Sequence, residues 1–155
     1  MRNGLAAVMI VTGTTALAET FDVAGIGLGE TQSVIRQVTP RLTLVDIHTE
    51  YSGFEGRDPG NPLALVTGPC TGAVVIHSGS PTGTGVCHYT DLDSEEVVIT
   101  WQARSMTANG RMQGTWIVEG GTGKWQEARG GGAFDSGVDG NGVYTNIVSG
   151  ALTLK

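Results

Sequence analysis

Apolar residues in this chain recur at every second position, in short runs separated by clusters of Gly, Pro, Asn and Asp. Helical periodicity is nearly absent after residue 18. Alternate side chains of a strand point to opposite faces of a sheet, so this pattern is typical of all-β proteins. It predicts nine strands, at Phe21–Gly29, Gln32–Val38, Arg41–Tyr51, Thr71–Ser78, Gly85–Thr90, Glu96–Ser105, Arg111–Glu119, Gly131–Val138 and Gly142–Leu154.

The number of runs indicates one closed sheet. Eight or nine antiparallel strands in a small domain must protect their edges, and closure into a barrel does so. About eight strands enclose side chains or one small ligand. We therefore predict an all-β fold, a single small antiparallel closed β-barrel of about eight strands, with a β-sandwich as the alternative.

The clearest hairpin joins the sixth and seventh runs. The apolar face of one carries Trp101 and the apolar face of the next carries Trp116, so both indoles are predicted to point inward. Asn109-Gly110 connects these runs and Asn141-Gly142 connects the last two. Each dipeptide tolerates the positive φ angles of a type I′ turn.

The first 18 residues have the pattern of a secretory signal peptide. Arg2 supplies a positive charge, Leu5 to Leu17 is mostly apolar, and Ala16-Leu17-Ala18 fits the cleavage rule. The apolar stretch is shorter than the roughly 20 residues that span a membrane. We expect removal of residues 1–18 and export of one β-barrel domain, 19–155, to the periplasm or the extracellular space. A buried N-terminal helix is the alternative.

The charge balance narrows the classes of partner. The formal net charge is −6, and it becomes −7 when Arg2 is removed with the leader. Lysine occurs only at Lys124 and Lys155, and there is no basic run. Nucleic acids and anionic membrane surfaces are bound by clustered Lys and Arg. The sequence therefore predicts no nucleic-acid partner and no stable membrane insertion.

Cys70 and Cys87 both lie in the exported part, where an even cysteine count makes a disulfide the default. A bridge closing a loop of this length stabilises by about 3 kcal/mol in the chain-entropy model. A redox pair or metal thiolates are the alternatives, but the spacing is not CxxC and no second pair exists.

The stretch GGTGKWQEARG, residues 120–130, invites comparison with a phosphate-binding loop. That loop needs a glycine five positions before Gly123 and a Ser or Thr after the lysine, whose hydroxyl coordinates magnesium. Val118 and Trp125 occupy those places. The sequence therefore argues against a nucleotide site.

The same stretch resembles the signature of the dirigent and allene oxide cyclase group of calycin-like β-barrels. In dirigent proteins it runs Gly-Gly-Thr-Gly-x-aromatic-x-x-Ala-Arg-Gly, and residues 120–130 match its defined positions. Gly150-Ala151-Leu152 fits a terminal Gly-x-Leu run. The likeness covers roughly residues 96–155, and the first half only in strand pattern.

The resemblance implies an eight-stranded antiparallel barrel, often oligomeric, with an apolar cavity. In known members, the shape of this cavity steers radical coupling or the cyclisation of an oxidised fatty acid. In the matched stretch, Trp125 is expected to plug a barrel end, and the Thr122 hydroxyl to cap a one-turn helix.

The sequence offers few candidates for metal binding or acid–base catalysis. His48, His77 and His88 show no His-x-His or His-x-x-x-His spacing, so we predict unrelated histidines and neither a metal nor a cofactor. Asp46 and His48 share one face of a strand. They are weak catalytic candidates if that face points inward, and solvated residues if it points outward, which we favour.

The ligand-binding candidates are Trp101, Trp116, Tyr144 and Arg129. The first hypothesis is an exported barrel that binds a small apolar or aromatic molecule. The alternatives are a cyclase or isomerase of the same fold, and a non-catalytic interaction subunit.

Overall fold

A computed structural model describes residues 17–56, 58 and 60–155. Most of the predicted signal peptide, residues 1–16, lies outside this part of the chain. The described part contains nine strands and two short 3₁₀ helices. The strands are β1 (Glu19–Asp22), β2 (Gly25–Thr39), β3 (Leu42–Gly56), β4 (Gly68–His77), β5 (Ser80–Thr90), β6 (Glu96–Met106), β7 (Met112–Gly121), β8 (Arg129–Val138) and β9 (Tyr144–Leu154), and the 3₁₀ helices are Pro62–Leu65 and Gly123–Trp125.

Eight strands, β2 to β9, close into an antiparallel barrel. Each pairs with the next along the chain, and β9 pairs with β8 on one side and with β2 on the other. β1 is an extra strand that pairs with the end of β9. The predicted barrel is confirmed and the sandwich alternative is wrong, because one hydrogen-bonded sheet runs around the whole circuit.

The first two predicted strands are divided at a different place. β2 runs without a break through Glu30 and Thr31, which were predicted to separate two strands, because both residues pair with β3. The break lies instead at Val23 and Ala24. Even there the register along β9 is kept, since the Val23 amide donates to the Gly150 carbonyl oxygen at 3.1 Å.

The turns differ from the expected geometry. Ser78 and Gly79 both have positive φ angles, 52° and 86°, so a type I′ turn joins β4 to β5. Ser78 was predicted to end the strand, and residues 80–84, predicted as loop, belong to β5. At the two Asn-Gly sites, positive φ is confined to Gly110 and Gly142. These hairpins are confirmed, but each closes through a longer turn with one left-handed glycine rather than through a type I′ turn.

The two ends of the barrel are packed differently. Val23, Val66, Trp125 and Leu152 are fully buried and fill one end. At the other end, Ile35, Met106 and Val138 line a cavity and remain 37–68 % exposed. The barrel therefore has a closed end and an open end. No helix within the described residues is long and apolar enough to cross a membrane.

Candidate ligand cavity

The open end of the barrel leads into a cavity of about 390 Å³. All eight barrel strands contribute side chains to its wall. Strand periodicity explains most of them, since β3 lines the cavity with Val45, Ile47, Thr49 and Tyr51 at every second position. Phe54 follows after an irregularity in the register, which shifts the alternation by one residue. The cavity is thus the unfilled part of the barrel interior, and its floor is the packed core.

Strands β4 to β7 supply an apolar wall, and Trp101 and Trp116 are its largest side chains. A Cβ atom at Gly72 would lie 2.2 Å from Cζ2 of the Trp101 indole, and one at Gly85 would lie 2.3 Å from it. Only glycine at both positions leaves room for the ring. The free edge of Trp101 meets Phe134 in a perpendicular contact, with ring centroids 6.1 Å apart.

Trp116 lies directly opposite Trp101 across the β6–β7 pair. Its side chain is 5 % exposed, and its Nε1 donates to the Ser149 carbonyl oxygen at 3.2 Å. Because that donor is satisfied within the protein, Trp116 offers a ligand only its ring surface. Both tryptophans line the cavity as well as packing against the core.

Strands β2, β3, β8 and β9 supply hydroxyl and amide groups among apolar side chains such as Val45, Ile47 and Phe134, and we call this side of the cavity the polar wall. The Tyr51 and Tyr144 hydroxyl oxygens lie 2.7 Å apart, and Asn146 Nδ2 donates to the Tyr51 oxygen at 2.9 Å. The Thr31 and Thr49 hydroxyls lie 2.9 Å apart. These contacts tie three strands together inside the barrel.

One atom of this polar wall lacks a partner. Asn146 Oδ1 is buried and accepts no hydrogen bond from the described residues. A buried polar atom left unpaired costs about 1–3 kcal/mol. This unpaired acceptor belongs to a residue that lines the cavity.

Burial raises the pKa of all three tyrosines. For Tyr51 and Tyr89 the electrostatic influence of neighbouring tyrosines adds to the rise in pKa, and for Tyr144 burial outweighs the hydrogen bond from Tyr51. The hydroxyls therefore stay protonated at physiological pH. No Asp, Glu, Lys, Arg or His lines the cavity in the described part of the chain, so its wall carries no formal charge.

The disulfide between Cys70 and Cys87 is confirmed. The two residues face each other directly across the β4–β5 pair, and both line the cavity. The bridge therefore joins two strands of the apolar wall at the level of the cavity.

Asp46 and His48 lie on the outer face of β3, as favoured from the sequence. Asp46 forms an ion pair with Arg36 of β2, and His48 Nε2 lies 3.0 Å from Glu50 Oε1. The catalytic role considered for them required an inward orientation, which the structure does not provide.

The remaining candidates lie apart from the cavity. Arg129 is exposed at the start of β8, and its guanidinium donates to the Ala128 carbonyl oxygen at 2.8 Å. His88 lies 3.5 Å from Glu96, away from the other two histidines on different strands. Within the described residues, no three His, Cys, Asp or Glu side chains form a group suited to a metal ion.

Sequence reasoning selected Trp101, Trp116 and Tyr144, all of which line the cavity. It did not select Tyr51 or Asn146. Tyr51 shares its face of β3 with Val45 and Ile47, so an inward orientation of that apolar face was the signal for it. Asn146 had no comparable signal, because an isolated amide in a weakly alternating strand looks solvent-exposed.

The GGTGK stretch closes the other end of the barrel. Trp125 is fully buried and donates from Nε1 to Asp91 Oδ2 at 2.9 Å. Lys124 Nζ lies 2.5 Å from Asp91, 3.3 Å from Asp93 and 3.6 Å from Glu95. The lysine is thus surrounded by carboxylates, and the stretch serves packing rather than phosphate binding.

Thr122 acts differently from the expectation. Its hydroxyl makes no cap to the following 3₁₀ helix. It accepts instead a hydrogen bond of 2.8 Å from the Glu96 amide at the start of β6. The β6–β7 pairing, in which Val97 lies opposite Gly121, brings this amide beside Thr122.

The Asp91 carboxylate is strongly stabilised in its charged form. Burial raises its pKa, but hydrogen bonds from Lys124, Trp125 and the amides of Glu95 and Asp93 outweigh this effect. The result is a pKa of about 2, below the ordinary 3.8. Since the side chain is only 3 % exposed, solvent screens these contacts little.

The acid stability of the barrel is expected to depend on Asp91. Its folded-state pKa is depressed, so its contribution is complete above about pH 4 and is lost as the pH falls towards about 2. The difference corresponds to about 2 kcal/mol. Urea unfolding across this pH range is expected to show a shallower acid loss for Asp91→Asn than for the wild type. Equal pH slopes would contradict this assignment.

The fold and the cavity together define a class: a closed eight-stranded antiparallel barrel with an open, uncharged interior space. A solved structure with a similar fold is that of the pterocarpan synthase dirigent protein GePTS1. The match covers 96 % of this chain and 99 % of that one, with a TM-score of 0.55 and 14 % sequence identity. The chain therefore has a dirigent-like barrel fold, as the motif at residues 120–130 predicted.

Sequence comparison adds no relative to this structural likeness. No family model matches the chain, and no curated protein sequence matches it. At 14 % identity the structural likeness is one of fold, and the site residues rest on their own geometry.

Proposed function

We propose that this protein binds a small apolar or aromatic molecule inside the barrel. The observation that carries the proposal is the open cavity of about 390 Å³, whose apolar wall includes Trp101 and whose lining is uncharged. Ligand pockets are typically concave, mostly apolar and of about 300–1,000 Å³, with a few polar groups that orient the ligand. The cavity has each of these properties.

The geometry lends no comparable support to the enzyme hypothesis. Its candidate acid and base, Asp46 and His48, lie on the outer surface and are paired with other side chains. Binding rather than turnover is therefore the function that the described residues favour.

Ligand binding is expected to be visible in two signals. The neutral dye N-phenyl-naphthylamine should brighten saturably as it enters the apolar cavity, and the emission of Trp101 and Trp116 should change at the same concentrations. Displacement of the dye by neutral aromatic compounds should reverse both signals. Absence of saturable dye binding to the folded, disulfide-bonded protein would overturn the proposal.

We further propose that the protein is exported. The Cys70–Cys87 disulfide supports this, because such bridges persist in oxidising compartments. β1 begins at Glu19, directly after the predicted cleavage site. The intact mass of the protein from its own host should correspond to a chain that starts at Glu19 and carries the bridge. A mass that includes residues 1–18 would contradict export by this leader.

A further inference from the structure

The polar side chains of the cavity lie on one side. β2, β3, β8 and β9 contribute hydroxyl and amide groups, among them Thr31, Thr49, Tyr51, Tyr144 and Asn146. The lining of β4, β6 and β7 is apolar, with the cysteine bridge on β4 and β5. Tyr89 of β5 is the exception on the opposite side. A bound molecule is therefore oriented, with its polar edge towards β9 and its apolar part towards Trp101.

The hydrogen bonds of the polar wall have a direction. The amide nitrogen Nδ2 of Asn146 can only donate, so the Tyr51 hydroxyl oxygen accepts a hydrogen bond from it at 2.9 Å. Since its oxygen already accepts from Asn146, we infer that Tyr51 donates its own hydrogen to the Tyr144 oxygen, 2.7 Å away. Within the described residues, the Tyr144 hydroxyl has no carboxylate or carbonyl among its hydrogen-bond partners.

Tyr144 is thus the last donor in the series of hydrogen bonds that runs from Asn146 through Tyr51. A hydroxyl that accepts a hydrogen bond becomes a better donor, because successive bonds polarise one another. A ligand oxygen with a lone pair is the natural partner for the Tyr144 hydrogen.

The absence of charge from the lining excludes ionised ligand groups. Burying a carboxylate or an ammonium without an opposite charge is far more costly than burying a neutral oxygen. Arg111, which directly precedes β7, donates to Thr145 of β9 and forms an ion pair with Asp135 of β8, and none of the three residues lines the cavity. The cavity therefore discriminates against anions.

We propose that the cavity selects neutral, mainly apolar molecules that carry an acceptor oxygen, such as a ketone, an ester or an alcohol, and that the Tyr144 hydroxyl recognises this oxygen. The inference rests on the binding function proposed above. It adds the chemical class of the ligand and the residue that forms a hydrogen bond with it. Tyr144 is a specificity-determining residue, whereas Trp101 supplies apolar surface to any occupant.

The test uses three compounds of nearly equal shape: benzylacetone, which carries a ketone, butylbenzene, which lacks it, and hydrocinnamate, which is a carboxylate at neutral pH. Each compound is titrated as a competitor of N-phenyl-naphthylamine, with the wild type, with Tyr144→Phe and with Thr100→Val. The last variant is a matched control, since it deletes a hydroxyl on the outer wall that donates to Glu119 at 2.6 Å.

Tyr144→Phe is expected to weaken benzylacetone binding roughly threefold to tenfold, the value of one neutral hydrogen bond. Butylbenzene should bind this variant as it binds the wild type, and Thr100→Val should change neither. Hydrocinnamate should bind the wild type more weakly than benzylacetone. The carbonyl stretching frequency of bound benzylacetone should be lower in the wild type than in Tyr144→Phe, a readout that altered packing alone would not move.

The outcomes separate this inference from the binding proposal. If the dye and butylbenzene bind but Tyr144→Phe affects both compounds equally, or affects neither, the assignment to Tyr144 is overturned and binding stands. If hydrocinnamate binds as tightly as benzylacetone, the selection of neutral ligands is overturned. If the dye itself does not bind the folded wild type, both proposals fail.

Discussion

Replacing Trp125 with alanine is expected to lower the free energy of unfolding by about 3–5 kcal/mol, the usual cost of removing a large buried aromatic side chain. Trp125 is fully buried between the strands of the closed end, and its Nε1 donates to Asp91. The substitution removes packing and also takes one donor from a buried carboxylate. Urea unfolding followed by far-ultraviolet circular dichroism measures the loss.

Leu92→Ala is the matched control for this experiment. Leu92 follows Asp91 in the same loop but is 76 % exposed, so its truncation should change the free energy of unfolding by less than about 0.5 kcal/mol. A loss below about 1 kcal/mol for Trp125→Ala would show that the closed end does not depend on this plug.

Ile47→Trp is expected to reduce the affinity for N-phenyl-naphthylamine by about tenfold or more, which corresponds to at least about 1.4 kcal/mol of binding free energy. Ile47 points into the cavity from β3, and its strand partners are Ser33 and Gly72. An indole at this position occupies space that the ligand needs. Because the cavity is open, the larger side chain enters it with little strain on the core.

The control lies one residue further along the same strand. His48→Trp places the same side chain on the outer face of β3, where His48 is about half exposed, and should leave dye binding unchanged. Thermal unfolding should be similar for the two variants. Undiminished dye binding by a folded Ile47→Trp variant would place the ligand outside the barrel and would contradict the proposed site.

The amino-acid sequence by itself determined the strands and most of their faces. Alternation is a local property, so the inward positions of Trp101 and Trp116 followed from period two alone. The closed barrel followed from the number of strands and the need to protect edges. The matched stretch at residues 120–130 indicated the dirigent-like architecture, and the cysteine count indicated the disulfide.

Other features were decided by partners far away in the chain. β2 continues through Glu30 and Thr31 because β3 supplies hydrogen bonds there, which outweigh the weak local preference of these residues. The Asn-Gly turns adopt a longer form because the strand registers on both sides fix the loop ends.

The polar wall depended on tertiary structure altogether. Tyr51, Tyr144 and Asn146 are brought together only when β9 pairs with β2 and closes the circuit. No spacing in the sequence records a contact between residues 93 and 95 positions apart. Local pattern determines which way a side chain points, whereas barrel closure determines what it meets, because closure sets the register between strands that are distant in the chain.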